Sequence, residues 1–246
     1  MIELRPLSAD DMETVRVWRL GCPETLRTPY MLTKEMQQQY YRDVICNREG
    51  HTRYWGLWRR VVNGGVRMTD PRIGPVGYTQ SEYVFIGYGG LENISWENGN
   101  AEISLLIGPE YRKQGYGREA VKLFLGQAFD VMRLHSVYGE CYLCGPWRFW
   151  DGLISNAYGN GSFDGIDDYA EHYQFLPCRK LWNGVHYDSY YFTFTGGAYE
   201  NLMRDTSEGD EQTDTRKKPE SVLRETGDTV RDRVGSCDWV DSCGIE

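Results

Sequence analysis

Ile103-Ser-Leu-Leu-Ile-Gly-Pro-Glu-Tyr-Arg112-Lys-Gln-Gly115-Tyr-Gly117-Arg-Glu-Ala120 reads as a strand, a loop and the start of a helix. Gly108-Pro109 ends the strand, because proline cannot continue a ladder of backbone hydrogen bonds. The loop carries Arg-x-x-Gly-x-Gly. Glycines there let a backbone approach a ligand closely, and the free N–H groups of a helix's first turn point outward at the positive end of its dipole. The segment therefore serves either as an anion cradle or as a plain glycine turn before a helix. It is not a nucleotide-binding P-loop, because Gly-Lys-Ser/Thr is absent, nor the Gly-x-Gly-x-x-Gly of dinucleotide binders.

Working outward, the helix is predicted from Arg118 to about Met132, with Val121, Leu125, Ala128, Phe129 and Met132 on its apolar face. Ser136–Tyr142 reads as a strand, and Phe149–Ile154 as a short helix. Residues from about 156 to 170 form a polar Gly/Asn insertion. Arg179–Trp182 and Val185–Phe192 make a hairpin around Asn183-Gly184, a pair suited to a type I′ turn. Upstream, Ile2–Leu7 is a strand. Ser8-Ala-Asp-Asp11 resembles a capping box ahead of a Met12, Val15, Trp18 stripe. Thr33 is placed to cap a second helix, whose face would be Met36, Tyr40, Tyr41, Val44 and Ile45. Tyr54–Trp58, Tyr83–Leu91 and Ala101–Ile107 are strands. Residues 61–82, rich in Gly, Pro and charge, read as an exposed loop.

Arg112, Gly115 and Gly117, set between a strand and a helix, resemble the coenzyme A loop of the GNAT acetyltransferases. The order strand, two helices, three strands ahead of them is also that family's. Ala101-Glu-Ile-Ser and the Trp182-Asn-Gly hairpin look most like its RimJ/RimL-type branch. The resemblance covers roughly residues 1–195. It implies an α+β fold: a central mixed, mostly antiparallel twisted sheet of about seven strands, flanked by helices and splayed between strands four and five. It also implies acetyl transfer from acetyl-CoA to a primary amine acceptor, such as a protein N-terminus, an amino sugar, a polyamine or an aminated nucleoside. The alternative reading is a catalytically weak module that binds CoA or a protein partner.

On that resemblance, the backbone amides of Gln114, Gly115, Tyr116, Gly117 and Arg118 would hold the pyrophosphate, with charge added by Arg112 and Lys113. The pantetheine arm would lie along the strand edge from Leu105 to Ile107, almost as an extra strand. The chemistry needs a base for the ammonium and an acid for the departing thiolate. Glu102 is the first candidate base and Glu92, on the neighbouring strand, the second. The family's usual acid position has no counterpart in Cys141-Tyr-Leu-Cys144-Gly-Pro-Trp-Arg-Phe-Trp150, which leaves Tyr142, Cys144, Tyr158 or unassisted departure. Arg27 and Tyr30 lie between the first two helices, where the family places much of its acceptor pocket.

The chain has 246 residues and a net charge of −9, of which 13 acidic and 7 basic residues fall in Glu200–Glu246. That charge argues against bulk nucleic-acid binding, which depends on neutralising phosphates. Domain organisation follows from the same asymmetry: an acetyltransferase domain over 1–199, then an acidic tail over 200–246, expected to be disordered. No apolar stretch approaches the ~18 residues of a membrane span, and the N-terminus lacks a leader's apolar core. Seven scattered cysteines read as reduced thiols of a cytoplasmic protein. Cys141-x-x-Cys144 has no second ligand pair at zinc spacing, so no metal is expected. The protein is expected to be a monomer or a homodimer.

Overall fold

The computed structural model describes residues 1–27, 31–47, 49–70, 74–158 and 172–204, with residues 62–81 described by their backbone alone. Strand β1 (Ile2–Arg5) leads into helix α1 (Ala9–Leu20). The capping box forms: Ser8 Oγ accepts from the Asp11 N–H, and the Asp11 carboxylate accepts from the Ser8 N–H. Two donors that a helix start leaves open are thereby met. Met12, Val15 and Trp18 are buried on one stripe. Thr33 caps α2 (Lys34–Tyr40) by accepting from the Met36 N–H.

The expected apolar face of the second helix holds in part: Tyr40, Tyr41 and Ile45 pack on the core under α1. Met36 is exposed, and the residue that α2 buries is Gln37. After Tyr40 the helix widens into a π-type turn, Tyr41–Ile45. A wider turn shifts the later side chains relative to a 3.6-residue period, and here it keeps Tyr41 and Ile45 on the same core as Tyr40.

Strands β2 (Arg53–Asp70) and β3 (Gly74–Ser95) form one long antiparallel hairpin, paired from Arg53↔Leu91 out to Asp70↔Gly74. The loop expected over 61–82 is therefore strand for most of its length. Its Gly and Pro content hides any period-two pattern, yet backbone pairing needs no particular side chain, and strand propensity yields to context. Strand β4 (Asn100–Ile107) pairs antiparallel with β3 and parallel with β5 (Ser136–Tyr142). Strands β6 (Tyr173–Trp182) and β7 (Val185–Thr195) complete a seven-stranded sheet among the described residues, in the order β1-β2-β3-β4-β5-β7-β6.

The β4–β5 ladder is short. It consists of Asn100↔Ser136, Ala101↔Val137 and Glu102↔Tyr138, although both strands run on. Beyond Glu102 the sheet forks, as the family resemblance implied. Helix α3 (Tyr116–Gly126) starts two residues earlier than expected and buries Val121 and Leu125, with Phe124 between them. Together with α4 (Trp147–Tyr158) and α5 (Gly196–Arg204), it covers one face of the sheet, where Phe124, Leu153, Phe192 and Phe194 form the main core. Helix α1 covers the other face, packing Met12, Val15 and Trp18 on Tyr88 and Leu106. Leu106 and Ile107 are adjacent in β4, so they point to opposite faces and join opposite cores.

Two expected boundaries move. Asn156-Ala-Tyr158, placed in the insertion, is the last turn of α4; Ala157 is buried, and Tyr158 donates its hydroxyl to the Thr193 carbonyl at 2.8 Å. The rest of that insertion, 159–171, lies outside the described residues. Helix α5 crosses the expected boundary at Tyr199 and buries Leu202 completely; residues 205–246 lie outside the described residues. Truncation after Tyr199 should therefore cost about 2 kcal/mol, the lower end for removing a buried leucine. Truncation after Arg204 keeps that contact. Equal melting temperatures for the two truncations would show that Leu202 contributes nothing.

At the β6–β7 turn both central residues have positive φ, 48° at Asn183 and 78° at Gly184, which is a type I′ turn. Gly184→Val forces a β-branched residue into the left-handed region. The expected loss is about 1 kcal/mol or more, read from urea denaturation. No loss would mean that the turn relaxes to another type.

Candidate active site

The loop after β4 is built to leave amides unpaired. A short 3-10 turn, Pro109–Tyr111, carries the chain away from β4, and Gly115 sits at φ +79° as the residue before α3. No side chain caps this helix, and its first intrahelical bond is Glu119 N–H to the Gly115 carbonyl. The amides of Tyr116, Gly117 and Arg118 precede that bond and have no intrahelical acceptor. A Cβ built on Gly115 meets nothing within 4 Å. Open space, uncapped N–H groups and a helix's positive end coincide, a combination that suits a phosphate. Lys113, Gln114 and Arg118 are exposed beside it.

Arg112 is turned differently from the expectation of added charge at the phosphate. Its Nε donates to the Ile107 carbonyl at 3.1 Å, and Nη2 lies 3.8 Å from Cys22 Sγ. The guanidinium thus ties the loop to the end of β4. Gln114 Nε2 donates to the Glu110 carbonyl at 3.0 Å, closing the loop on itself.

Beside the fork lies a cavity of about 600 Å³, which runs from Arg112 along Ile103–Leu106 to Glu102 and Glu92. Past Glu102 the β4 edge that faces β5 has no partner strand among the described residues, so its backbone groups, apart from the Ile107 carbonyl that Arg112 engages, are open to an extended ligand. Leu105 lines this cavity, whereas the Ile107 side chain belongs to the core. A pantetheine arm with its two amides fits such an edge, and a pyrophosphate fits the uncapped helix start. The residues present therefore suit coenzyme A.

Three carboxylates meet at the fork. Glu92 and Glu102 face each other across the β3–β4 ladder, and Glu140 comes from β5. Glu102 is buried, and both of its oxygens are engaged. Arg27 Nη2 bonds Oε1, while Arg27 Nη1 and Asn93 Nδ2 bond Oε2 at 3.2 and 2.8 Å. Glu140 accepts from Ser189 Oγ at 2.6 Å and faces Arg179 at 3.3 Å and Arg27 at 3.6 Å. Glu92 accepts from the Tyr54 hydroxyl at 2.8 Å. Burial pushes the Glu92 carboxyl above the usual carboxylate range; the Tyr54 bond opposes this, and the negative charge of Glu102 adds to it.

Of the candidate acids, Tyr142 lines the cavity. Burial, with the charge of Glu140, raises its pKa, so it stays protonated at neutral pH. Tyr158 is committed to Thr193 and Thr195 in the core. The Cys144 thiol donates to the Glu24 carbonyl. Cys141 also lines the cavity, but burial raises its thiol pKa and keeps it neutral. Of the two expected acceptor-pocket residues, Arg27 is at the fork and Tyr30 lies outside the described residues.

Sequence reasoning missed Glu140, Tyr54 and Gln37. Glu140 had a usable signal: it alternates with buried Val137, Gly139 and Cys141 on a strand next to the fork. Tyr54 carried none, being one of 18 tyrosines. Gln37 is buried at the cavity wall, and its Nε2 has no partner among the described residues. Its signal was a polar residue followed by two more, which reads as a solvated face.

Similar folds occur among solved structures. The spermidine/spermine N-acetyltransferase SpeG from Vibrio cholerae, in mutant forms, superposes with a TM-score of 0.56 at 16% identity, covering 82% of this chain and 98% of that one. The same enzyme in complex with CoA and spermine gives 0.56 at 16% identity, over 81% and 98% of the two chains. A SpeG chimera gives 0.53 at 17% identity, over 81% and 98%. No curated protein matches the sequence. No helix among the described residues is long and apolar enough to cross a membrane. A family model described as an acetyltransferase (GNAT) domain matches residues 2–143, which run from β1 through the cradle and the fork to the end of β5. The chain belongs to the GNAT acetyltransferases, enzymes that move an acetyl group from acetyl-CoA to an amine.

Proposed function

We propose that the acceptor is a polyamine-like cation and that Glu92 takes the proton from its reacting ammonium. The observation that carries this reading is the meeting of Glu92, Glu102 and Glu140 in the same cavity as the open β4 edge. A cluster of carboxylates with low-dielectric walls concentrates cations. A relative of the same fold crystallised with CoA and spermine supports the reading. The RimJ/RimL-type resemblance points to the same reaction on a primary amine.

Bound acetyl-CoA would supply the acetyl group as a thioester, held by the amides of Gly115–Arg118 and the edge from Ile103 to Ile107. The chain's own residues divide the remaining work. Glu102, with both oxygens already holding N–H donors, serves as a fixed anion that seats an ammonium. Glu92 has one phenolic donor and a raised proton affinity, which makes it the better base. Tyr142, across the fork, keeps a proton that it can hand on.

An acceptor panel tests this. Free CoA released from acetyl-CoA should rise most with spermidine and spermine. If a peptide N-terminus or an amino sugar accelerates release and the polyamines do not, the polyamine reading fails.

A further inference from the structure

We propose that Arg27 is an internal rival of the acceptor: its guanidinium occupies the seat between Glu102 and Glu140 that an acceptor ammonium must take, and so sets which amines enter. This rests on the polyamine reading above. Arg27 meets both Glu102 oxygens and lies 3.6 Å from Glu140. The two carboxylates are about one-tenth exposed, while the Arg27 side chain is half exposed. The cation thus has a way out to water, and the anions do not. If Arg27 left with nothing in its place, two nearly buried carboxylates would lose a common partner, which is costly. Its departure is therefore tied to the arrival of another cation.

The chain holds Arg27 at this seat from behind. Lys180 Nζ, buried on β6, donates to the main-chain carbonyls of Glu24 and Leu26, and the Cys144 thiol donates to the Glu24 carbonyl. Two main-chain carbonyls just before Arg27 are held in this way, so its side chain reaches the fork by default. This exceeds what an ordinary helix linker needs.

The placement of the cations then explains a preference for multiply charged amines. Arg27 and Arg179 pair with Glu102 and Glu140, whereas Glu92 accepts from the Tyr54 hydroxyl and meets Arg19, at the cavity wall, and Arg27 only through their fields. A monoamine that displaces Arg27 exchanges one cation for another and gains little. A diamine or polyamine displaces Arg27 with one ammonium and brings a second to Glu92, where the reaction needs it. The cationic competitor thereby acts against simple amines, which is specificity through a competing contact rather than an added one.

The test is calorimetric binding of spermidine to the full-length protein, which does not depend on turnover. In Arg27→Gln the spermidine Kd should fall by about fivefold or more, and in Arg27→Lys by less than about twofold. Glu140→Gln, which removes half of the seat, should raise the Kd by about fivefold or more. An Arg27→Gln protein that still binds acetyl-CoA but holds spermidine no more tightly than wild type overturns the proposal. If Arg27→Gln does not fold, an unchanged Kd in Glu140→Gln overturns it instead. Wild-type protein that binds spermidine without acetylating it would sink the polyamine reading while leaving the Arg27 series readable. Tighter binding of n-butylamine than of spermidine to wild type would overturn the charge argument.

Discussion

Glu92→Gln should lower kcat by about 100-fold, the usual scale for losing a general base. Gln keeps the shape and can still accept from Tyr54, but it cannot take a proton. Acetyl-CoA affinity should persist, because Glu92 lies opposite Glu102, at the end of β4 away from the Gly115 loop. The pH profile supplies a second check. In wild type, activity falls as pH drops through the raised pKa of Glu92, because the base becomes protonated. In Glu92→Gln that acidic limb disappears, and the residual rate rises with pH as more acceptor becomes neutral. Stability should move the other way. A buried carboxyl whose folded pKa is raised favours the native state while protonated and disfavours it as pH climbs past that pKa. At neutral pH Glu92→Gln should therefore melt no lower than wild type, which separates lost chemistry from lost fold. A near-normal kcat would shift the base to Glu102, and Glu102→Gln would then carry the loss.

Gly115→Glu should weaken acetyl-CoA binding by about 100-fold, or roughly 2.7 kcal/mol. The side chain enters the open space over the amides of Tyr116–Arg118 and places a carboxylate where a phosphate belongs. Gly115→Ala is the control. It carries the same left-handed strain, about 1 kcal/mol, without the charge. If both variants lose affinity equally, strain in the loop is responsible and the anion cradle lies elsewhere. Calorimetry with acetyl-CoA measures both.

The local features that the sequence disclosed share one property: each is set by a few neighbouring residues. The Ser8–Asp11 capping box, the Asn183-Gly184 turn and the end of β4 at Gly108-Pro109 are of this kind. The outer halves of β2 and β3 escaped notice because their pairing is satisfied between segments, with Gly and Pro masking the alternation. Helix α2 and its Thr33 cap were legible, but the exposure of Met36, the burial of Gln37 and the widened turn after Tyr40 were not. The extension of α5 past Tyr199 hinged on Leu202, a lone apolar residue at the edge of a charged run. In the site, Glu102 and Glu92 were legible as strand carboxylates next to the cradle. Their division of labour was not, since it depends on Arg27 and Asn93 reaching one and Tyr54 the other. Those contacts span up to 75 residues of sequence.

The three-pair ladder between β4 and β5 makes the sheet two leaves on a narrow spine. One leaf, β1–β4, carries Glu92 and Glu102; the other, β5–β7, carries Glu140, Tyr142 and Lys180. Glu102 belongs to the last bonded pair, so it sits on the spine itself. The angle between the leaves therefore fixes at once the width of the cleft, the spacing of the carboxylates and the reach of the Lys180-anchored loop. Sheet twist is a mechanical setting of the chemistry, and a substitution far out on either leaf that alters the twist is transmitted to all three together.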